Sequence, residues 1–229
     1  MSEDKYRELE AAGKRIQLYM AEKASAPLVV YHAVHGEGDS LHEACRKAGS
    51  PDFSLAVVND IRWDDEMSPW AIPPVSKDDR PCSGEADEYL RKLNDAIMPA
   101  IRDALPEAPD YSVLAGYSLA GLFALYAAYQ KTDFQRIVSA SGSLWFPKLV
   151  DYVKSHQVQG QIQTMYFSLG NKESRTRNQV LKSVEENTVT IERYLHDRGI
   201  LTIYESNPGN HFRDAALRTA KGIKWTLEQ

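Results

Sequence analysis

Short apolar runs recur along this chain, separated by stretches in which apolar residues lie three or four positions apart. A short apolar run between turn residues is typical of a buried β-strand, and the wider spacing is typical of an amphipathic helix. Buried strands are predicted over residues 27–34, 53–59, 113–115, 136–141, 162–169 and 200–204, and a half-buried strand over residues 14–20. Helices are predicted over residues 41–48, 85–105, 119–129, 149–156, 177–198 and 214–227. Pro99 is expected to kink or split the second of these helices.

Strands and helices alternate from Pro27 onward, which predicts an α/β fold. The sheet should be mostly parallel, with helices on both faces. Residues 1–229 suit a single domain, because no internal repeat, low-complexity tract or linker divides them. In a sheet of this kind ligands bind beyond the carboxyl ends of the strands, so the residues at those ends are candidates for a functional site.

The stretch from residue 112 to residue 129 has the pattern of a strand, a turn of small residues and a buried helix. The turn reads Gly-Tyr-Ser-Leu-Ala-Gly at residues 116–121, with small residues two positions before and after Ser118. A sharp strand-to-helix turn needs small residues there, and it would present Ser118 as a nucleophile at the positive end of the helix dipole. The alternative interpretation is a glycine-rich turn whose serine caps the helix.

A serine nucleophile needs a general base, and the base needs an orienting acid. Glu173 lies four residues after a predicted strand, and His211 lies in the loop after the last one. With Ser118 they follow the order serine, acid, histidine, at strand ends that a parallel sheet brings to one edge. Glu205 is the main rival for the acid, since it ends the strand that leads to His211. The other candidates are Asp151 and Asp197 for the acid, and His32, His35, His42, His156 and His196 for the base.

An oxyanion hole for this serine should consist of two backbone N–H groups. One belongs to Leu119, directly after the serine. The other is expected in the glycine-containing loop after the strand at residues 27–34, within residues 35–38, and Gly36 is the donor that we predict.

The stretch over residues 60–84 has no clear period and contains Trp63, Trp70 and four prolines. A loop of this length is usually functional or disordered, and two tryptophans argue against disorder. It is interpreted either as a wall of a substrate pocket, together with Tyr117 and Trp145, or as a surface loop that aromatic packing holds in place. Residues 141–162 leave room for one helix only, so no large cap domain is expected over the site.

Charge and composition exclude several other classes of function. The net charge is −5, the isoelectric point is about 5.7 and no basic block occurs, which disfavours nucleic-acid binding. No apolar run approaches the length of a membrane span, and the N-terminal residues lack the apolar core of a signal peptide, so a cytoplasmic location is expected. Cys45 and Cys82 suggest neither a disulfide framework nor a metal site. Neither a metal nor a cofactor is expected, and the oligomeric state is open.

Four motifs carry a resemblance to a known family. They are Gly-Tyr-Ser-Leu-Ala-Gly-Leu-Phe-Ala-Leu at residues 116–125, Ser-Ala-Ser-Gly-Ser-Leu-Trp-Phe-Pro at 139–147, Ser-Leu-Gly-Asn-Lys-Glu at 168–173 and Pro-Gly-Asn-His-Phe at 208–212. These motifs resemble the Putative esterase family of α/β-hydrolases, which includes esterase D-like, feruloyl and siderophore esterases and mycolyltransferases. The resemblance is weakest before Pro27.

The resemblance implies Ser118 as nucleophile, His211 as base and Glu173 as acid. It also implies a cofactor-free serine hydrolase that cleaves a small-molecule carboxylic ester or thioester through an acyl-enzyme. Two departures are Ala120, where the family usually has glycine, and glutamate rather than aspartate as the acid. Because the family mixes hydrolases and acyltransferases, an acyltransferase with the same triad is the alternative, followed by a catalytically dead binding protein.

Overall fold

The computed structural model describes residues 6–34, 36–159 and 161–229, and these residues form one eight-stranded sheet. The strands are β1 (Tyr6–Ala11), β2 (Lys14–Tyr19), β3 (Leu28–His32), β4 (Ser54–Val58), β5 (Ser112–Tyr117), β6 (Arg136–Ala140), β7 (Thr164–Gly170) and β8 (Leu201–Asn207). Their order across the sheet is β1-β2-β4-β3-β5-β6-β7-β8. The first two pairings are antiparallel and the others are parallel, which confirms the mostly parallel sheet.

Helices cover both faces of this sheet. They are α1 (Gly38–Ala48), α2 (Trp63–Glu66), α3 (Ala86–Lys92), α4 (Met98–Ala104), α5 (Leu119–Ala127), α6 (Leu149–Ser155), α7 (Gln179–Lys182), α8 (Val184–His196) and α9 (Ala215–Leu227). Because side chains alternate along a strand, Val113 and Ala115 belong to the core under α1 and α9, whereas Leu114 belongs to the core under the other helices. No helix of the described residues has the length and apolar character that crossing a membrane requires.

Two predicted helices are divided in the structure; for the first a kink or split at Pro99 was expected, and for the second it was not. The helix predicted over residues 85–105 contains a π-helical turn, Leu93–Ile97, between α3 and α4. In this wider turn the Met98 N–H donates to Leu93 O, so the hydrogen-bond pattern changes directly before Pro99, which has no N–H to donate. The helix predicted over residues 177–198 is divided at Ser183 into α7 and α8.

Two long stretches could cover a site: residues 60–84 and the connection between β6 and β7. In neither do the described residues form a cap domain. Between β6 and β7 the described residues contain α6 and no other helix. The stretch over residues 60–84 contains α2 and an antiparallel bridge between Ile72 and Cys82. The carboxyl ends of β3, β5, β7 and β8 meet along one edge of the sheet, and no separate domain of the described residues covers it.

Candidate active site

Ser118 lies at the turn from β5 into α5, with φ of 59° and ψ of −125°. This is a strained conformation for a residue with a side chain, and close neighbours make it possible only if they are small. A β-carbon on Gly116 would lie 2.1 Å from Ala120 O, and one on Gly121 would lie 2.9 Å from Gly142 Cα. The two glycines are therefore required by the close approach of the chain around Ser118.

Three side chains from different strand ends form a continuous hydrogen-bonded series. Ser118 Oγ lies 3.0 Å from His211 Nε2, and His211 Nδ1 lies 2.7 Å from Glu173 Oε2. Ser118 follows β5, Glu173 follows β7 and His211 follows β8, so the parallel strands bring them to the same edge. In this arrangement the imidazole can take a proton from the serine while the carboxylate fixes its orientation.

The rival acid Glu205 lies outside this series. Its carboxylate accepts hydrogen bonds from Tyr166 OH at 2.7 Å and from Lys221 Nζ at 2.6 Å. Among the rival histidines, His32 is fully buried and packs edge-on against Tyr89 and Phe123, and burial lowers its pKa to about 3. His35 lies outside the described residues.

The second oxygen of Glu173 has three hydrogen-bond donors. Oε1 accepts from the Gly170 N–H at 2.5 Å, from Ser141 Oγ at 2.9 Å and from Arg218 Nη1 at 3.0 Å. Burial raises the pKa of the Glu173 carboxyl, but the hydrogen bonds from His211, Gly170 and Ser141 outweigh it and hold the pKa below its ordinary value. Glu173 is therefore ionised at neutral pH and suited to stabilise a positively charged imidazole.

Arg218, on α9, is a residue of this site that the sequence reasoning missed. Its side chain is buried, with 1% of the residue exposed. Besides Glu173, Nη1 contacts Ser141 Oγ at 3.0 Å and Tyr117 OH at 3.3 Å. Nη2 donates to the backbone carbonyls of Pro208 at 3.0 Å and Asn210 at 2.9 Å, in the loop that carries His211. One guanidinium thus ties the acid to the histidine loop. An arginine on the apolar face of the predicted closing helix was the available signal.

Tyr117 contacts the same loop from the other side. Its hydroxyl donates to His211 O at 2.6 Å, and its ring lies 5.4 Å from the imidazole, between centroids. Burial raises the pKa of this hydroxyl, so it stays protonated and keeps donating. The residue that was predicted as a substrate contact therefore also holds the backbone of His211 in place.

The candidate oxyanion donors are in different situations. The Leu119 N–H, at the start of α5, donates to no acceptor among the described residues. The Gly36 N–H donates to Asn59 Oδ1 at 3.2 Å, and the Val34 N–H donates to Glu37 Oε2 at 3.0 Å. The Gly36 N–H can donate to an oxyanion only if its hydrogen bond to Asn59 Oδ1 is broken.

Two cavities meet at Ser118 and His211. The larger, of about 400 Å³, has Trp63 and Tyr117 in its wall, and the smaller, of about 260 Å³, has Trp145. Trp70 lines neither; it packs against Phe146 and Tyr152 and donates from Nε1 to Pro147 O at 3.1 Å. A third cavity of about 560 Å³, lined by Lys154 and Arg198 among others, contains none of the three residues of the series. The described residues contain no group of ligating side chains that could hold a metal ion.

Comparisons with known proteins agree with this architecture. A family model described as Putative esterase matches residues 30–215. No curated protein matches the sequence. Among solved structures, the siderophore hydrolase EstA from Aspergillus nidulans is 18% identical, with a TM-score of 0.79 over 98% of this chain and 94% of that one. An IroE-like serine hydrolase from Shewanella oneidensis is 15% identical, with a TM-score of 0.78 over 97% of this chain and 80% of that one. The enterobactin esterase FES from Shigella flexneri, solved in the presence of enterobactin, is 16% identical, with a TM-score of 0.71 over 98% of this chain and 58% of that one. At these identities the likeness shows the fold.

Proposed function

Since the chain belongs to the Putative esterase family, we propose that it is a serine ester hydrolase in which Ser118 is the nucleophile, His211 the general base and Glu173 the orienting acid. The observation that supports these roles is the unbroken series from Ser118 Oγ to His211 Nε2 at 3.0 Å and from His211 Nδ1 to Glu173 Oε2 at 2.7 Å. Geometry of this kind lets a weak nucleophile lose its proton as it attacks.

The proposed reaction has two halves. His211 Nε2 takes the proton from Ser118 Oγ as the oxygen attacks the ester carbonyl, and the tetrahedral intermediate collapses when the imidazolium gives that proton to the departing alkoxide. The products of this half are the alcohol and an acyl group on Ser118. Water then attacks the acyl-enzyme with His211 as base, which releases the acid and restores the serine.

The ionised Glu173 carboxylate stabilises the imidazolium in both halves and holds the Nδ1 proton, so that Nε2 faces Ser118. The acid keeps its charge throughout, because its hydrogen-bond donors hold its pKa below the ordinary value in spite of burial. Arg218 supports this state by a direct contact with the carboxylate.

We propose the Leu119 N–H as one donor to the oxyanion and a backbone N–H after β3 as the other. Gly36 is the donor that the sequence favours, and Val34 is its rival. The Val34 N–H lies two residues after β3 and donates to Glu37 Oε2 at 3.0 Å, so, like the Gly36 N–H, it would have to give up its present acceptor to serve an oxyanion.

The substrate in this proposal is a small-molecule ester or thioester. Enterobactin belongs in the first panel of compounds, because it is present in the FES structure. Release of the acid into water without an added acceptor supports hydrolysis, and a requirement for an acceptor alcohol would support the acyltransferase alternative.

The test compares two serines in the same cleft. Ser143 Oγ lies 3.4 Å from Ser118 Oγ, so Ser143→Ala is a matched control for Ser118→Ala. We expect a fluorophosphonate probe to label the wild type and Ser143→Ala at Ser118, as located by peptide mass spectrometry, and to leave Ser118→Ala unlabelled. Hydrolysis of p-nitrophenyl acetate should fall by about a thousandfold or more in Ser118→Ala. Labelling or hydrolysis that survives in folded Ser118→Ala contradicts the proposal.

A further inference from the structure

The charged side chains that line the two cavities at Ser118 are carboxylates. Neither cavity is lined by a lysine or an arginine from the described part of the chain. Carboxylates line both: Glu37 in the larger cavity, and Asp79 and Glu173 in the smaller. The guanidinium closest to the series, that of Arg218, is buried and contacts Glu173, so its charge is balanced within the site.

The larger cavity is mainly aromatic and aliphatic. Tyr31, Trp63, Tyr117 and Phe212 supply rings to its wall, and Leu41 supplies an aliphatic side chain. Apolar groups gain free energy when they leave water for such a surface, whereas a charged group would lose its hydration without finding a cationic partner there.

Phe212 stands out among these residues because it lines both cavities and is 87% exposed. Its ring meets the imidazole of His211 edge-on, with centroids 5.3 Å apart. Its backbone N–H donates to Asn210 Oδ1 at 3.1 Å, which fixes the turn that directs the ring outward. A large apolar side chain that is exposed to water beside the proposed base gains free energy when a bound ligand covers it.

Resting on the proposed function, we propose that this enzyme selects uncharged esters with an apolar acyl chain and discriminates against anionic ones, with Phe212 packing on the bound chain. A negative group at the end of the acyl chain would meet Glu37 or Asp79 and no lysine or arginine of the described residues, and the ring of Phe212 contributes contact area to an apolar chain. Phe212 is a specificity residue in this proposal, and it takes no part in proton transfer.

The charge part is tested with three p-nitrophenyl esters of one acyl length that end in a methyl, a carboxylate or an ammonium group. We expect kcat/KM at neutral pH to be lower by about tenfold for the carboxylate chain than for the methyl chain, the order of effect of one repulsive pair. Glu37→Gln and Asp79→Asn should each reduce this ratio, and so should added salt. Equal rates for the methyl and carboxylate chains would overturn the proposal, and so would a carboxylate chain that is hydrolysed as well as the ammonium chain.

The role of the ring is tested by Phe212→Ala against Leu217→Ala. Leu217 is also an exposed apolar residue, at 46%, but it lines neither cavity, so it controls for a general change of surface. We expect Phe212→Ala to lower kcat/KM for the methyl-terminated chain, through KM, by at least about tenfold more than it lowers kcat/KM for p-nitrophenyl acetate. Leu217→Ala should change neither. An equal loss on both esters would contradict packing on the chain.

These outcomes separate the two proposals. The proposed function fails if folded Ser118→Ala keeps its activity or its fluorophosphonate label. The specificity proposal fails, with the proposed function intact, if Ser118→Ala is inactive while the wild type hydrolyses anionic and neutral chains equally well.

Discussion

Replacement of Arg218 by methionine tests whether the site depends on a residue that never contacts the ester. The change keeps an unbranched side chain of similar length and removes the guanidinium. Glu173 Oε1 then keeps two of its three donors, and the carbonyls of Pro208 and Asn210 lose theirs. The buried carboxylate remains, without its cation, next to a histidine loop that is no longer tied to α9.

The size of the effect follows from that burial. Removal of one partner from a buried ion pair costs about 3–5 kcal/mol. For a domain of this size that corresponds to a fall in Tm of about 10 °C. A histidine that is displaced from its serine should also lower kcat, and we expect a loss of about ten- to a hundredfold. Both losses should appear together, because the same guanidinium holds the acid and the loop.

The pH dependence of stability identifies the cause. In the wild type the pKa of the Glu173 carboxyl lies below its ordinary value of 4.5, so its contribution to stability is present above that pH and is lost as pH falls through the folded-state pKa. In Arg218→Met the ionised carboxylate loses its buried cationic partner, and this loss costs stability only while the carboxyl is ionised. The deficit in Tm should therefore widen as pH rises from about 4.5 to about 7.

Thermal unfolding and p-nitrophenyl acetate kinetics across this pH range make the measurement. Arg136→Met is the matched control, because it removes another buried guanidinium, one that donates to Thr226 O away from the site. It should lower Tm and leave kcat within about twofold. In Arg218→Met with Glu173→Gln, the uncompensated charge is gone, so part of the stability should return while activity stays low. A folded Arg218→Met with wild-type kcat, or equal kcat losses in both arginine variants, would refute the reasoning.

Two further predictions concern the proposed acid and the turn around Ser118. Glu173→Gln should lower kcat by up to about ten-thousandfold with folding intact, whereas Glu205→Gln, which removes a surface pair with Lys221, should cost less than about tenfold; the reverse ranking in steady-state kinetics would identify Glu205 as the acid. Gly116→Ala should yield little folded protein by circular dichroism and unfolding scans, because its β-carbon would lie 2.1 Å from Ala120 O; a variant as stable as the wild type would show that the turn relaxes easily.

Much of the fold could be predicted because the central strands are buried over their whole length. β3, β4 and β5 are buried at every residue, and such runs are visible in a sequence without any partner. β1 was missed because it lies at the edge of the sheet and presents Arg7, Glu8 and Glu10 among few apolar residues. Its structure depends on pairing with β2, and local periodicity does not report that pairing.

The residues of the candidate site were also predictable only in part. Ser118, Glu173 and His211 could be placed together because each follows a strand, and a parallel sheet brings strand ends to one edge. Arg218 could not, since its partners come from β5 and from the loops after β6, β7 and β8, and its role depends on the depth at which α9 packs. The different positions of the two tryptophans in residues 60–84 could not be predicted, because both are aromatic residues of one loop. Trp63 lines a cavity, whereas Trp70 packs against Phe146 and Tyr152.

The position of Arg218 in the chain has a consequence for the timing of activity during synthesis. Ser118, Glu173 and His211 all leave the ribosome before α9, and the strands that carry them can pair as they emerge. The loop that carries His211 gains its hydrogen bonds from Arg218, at the carbonyls of Pro208 and Asn210, only when α9 docks. A nascent chain stalled before residue 218 would thus carry the sheet and all three side chains of the series, while the histidine loop lacked two of its hydrogen bonds. Most of the hydrolytic activity should therefore appear as a late step that follows the docking of the last helix.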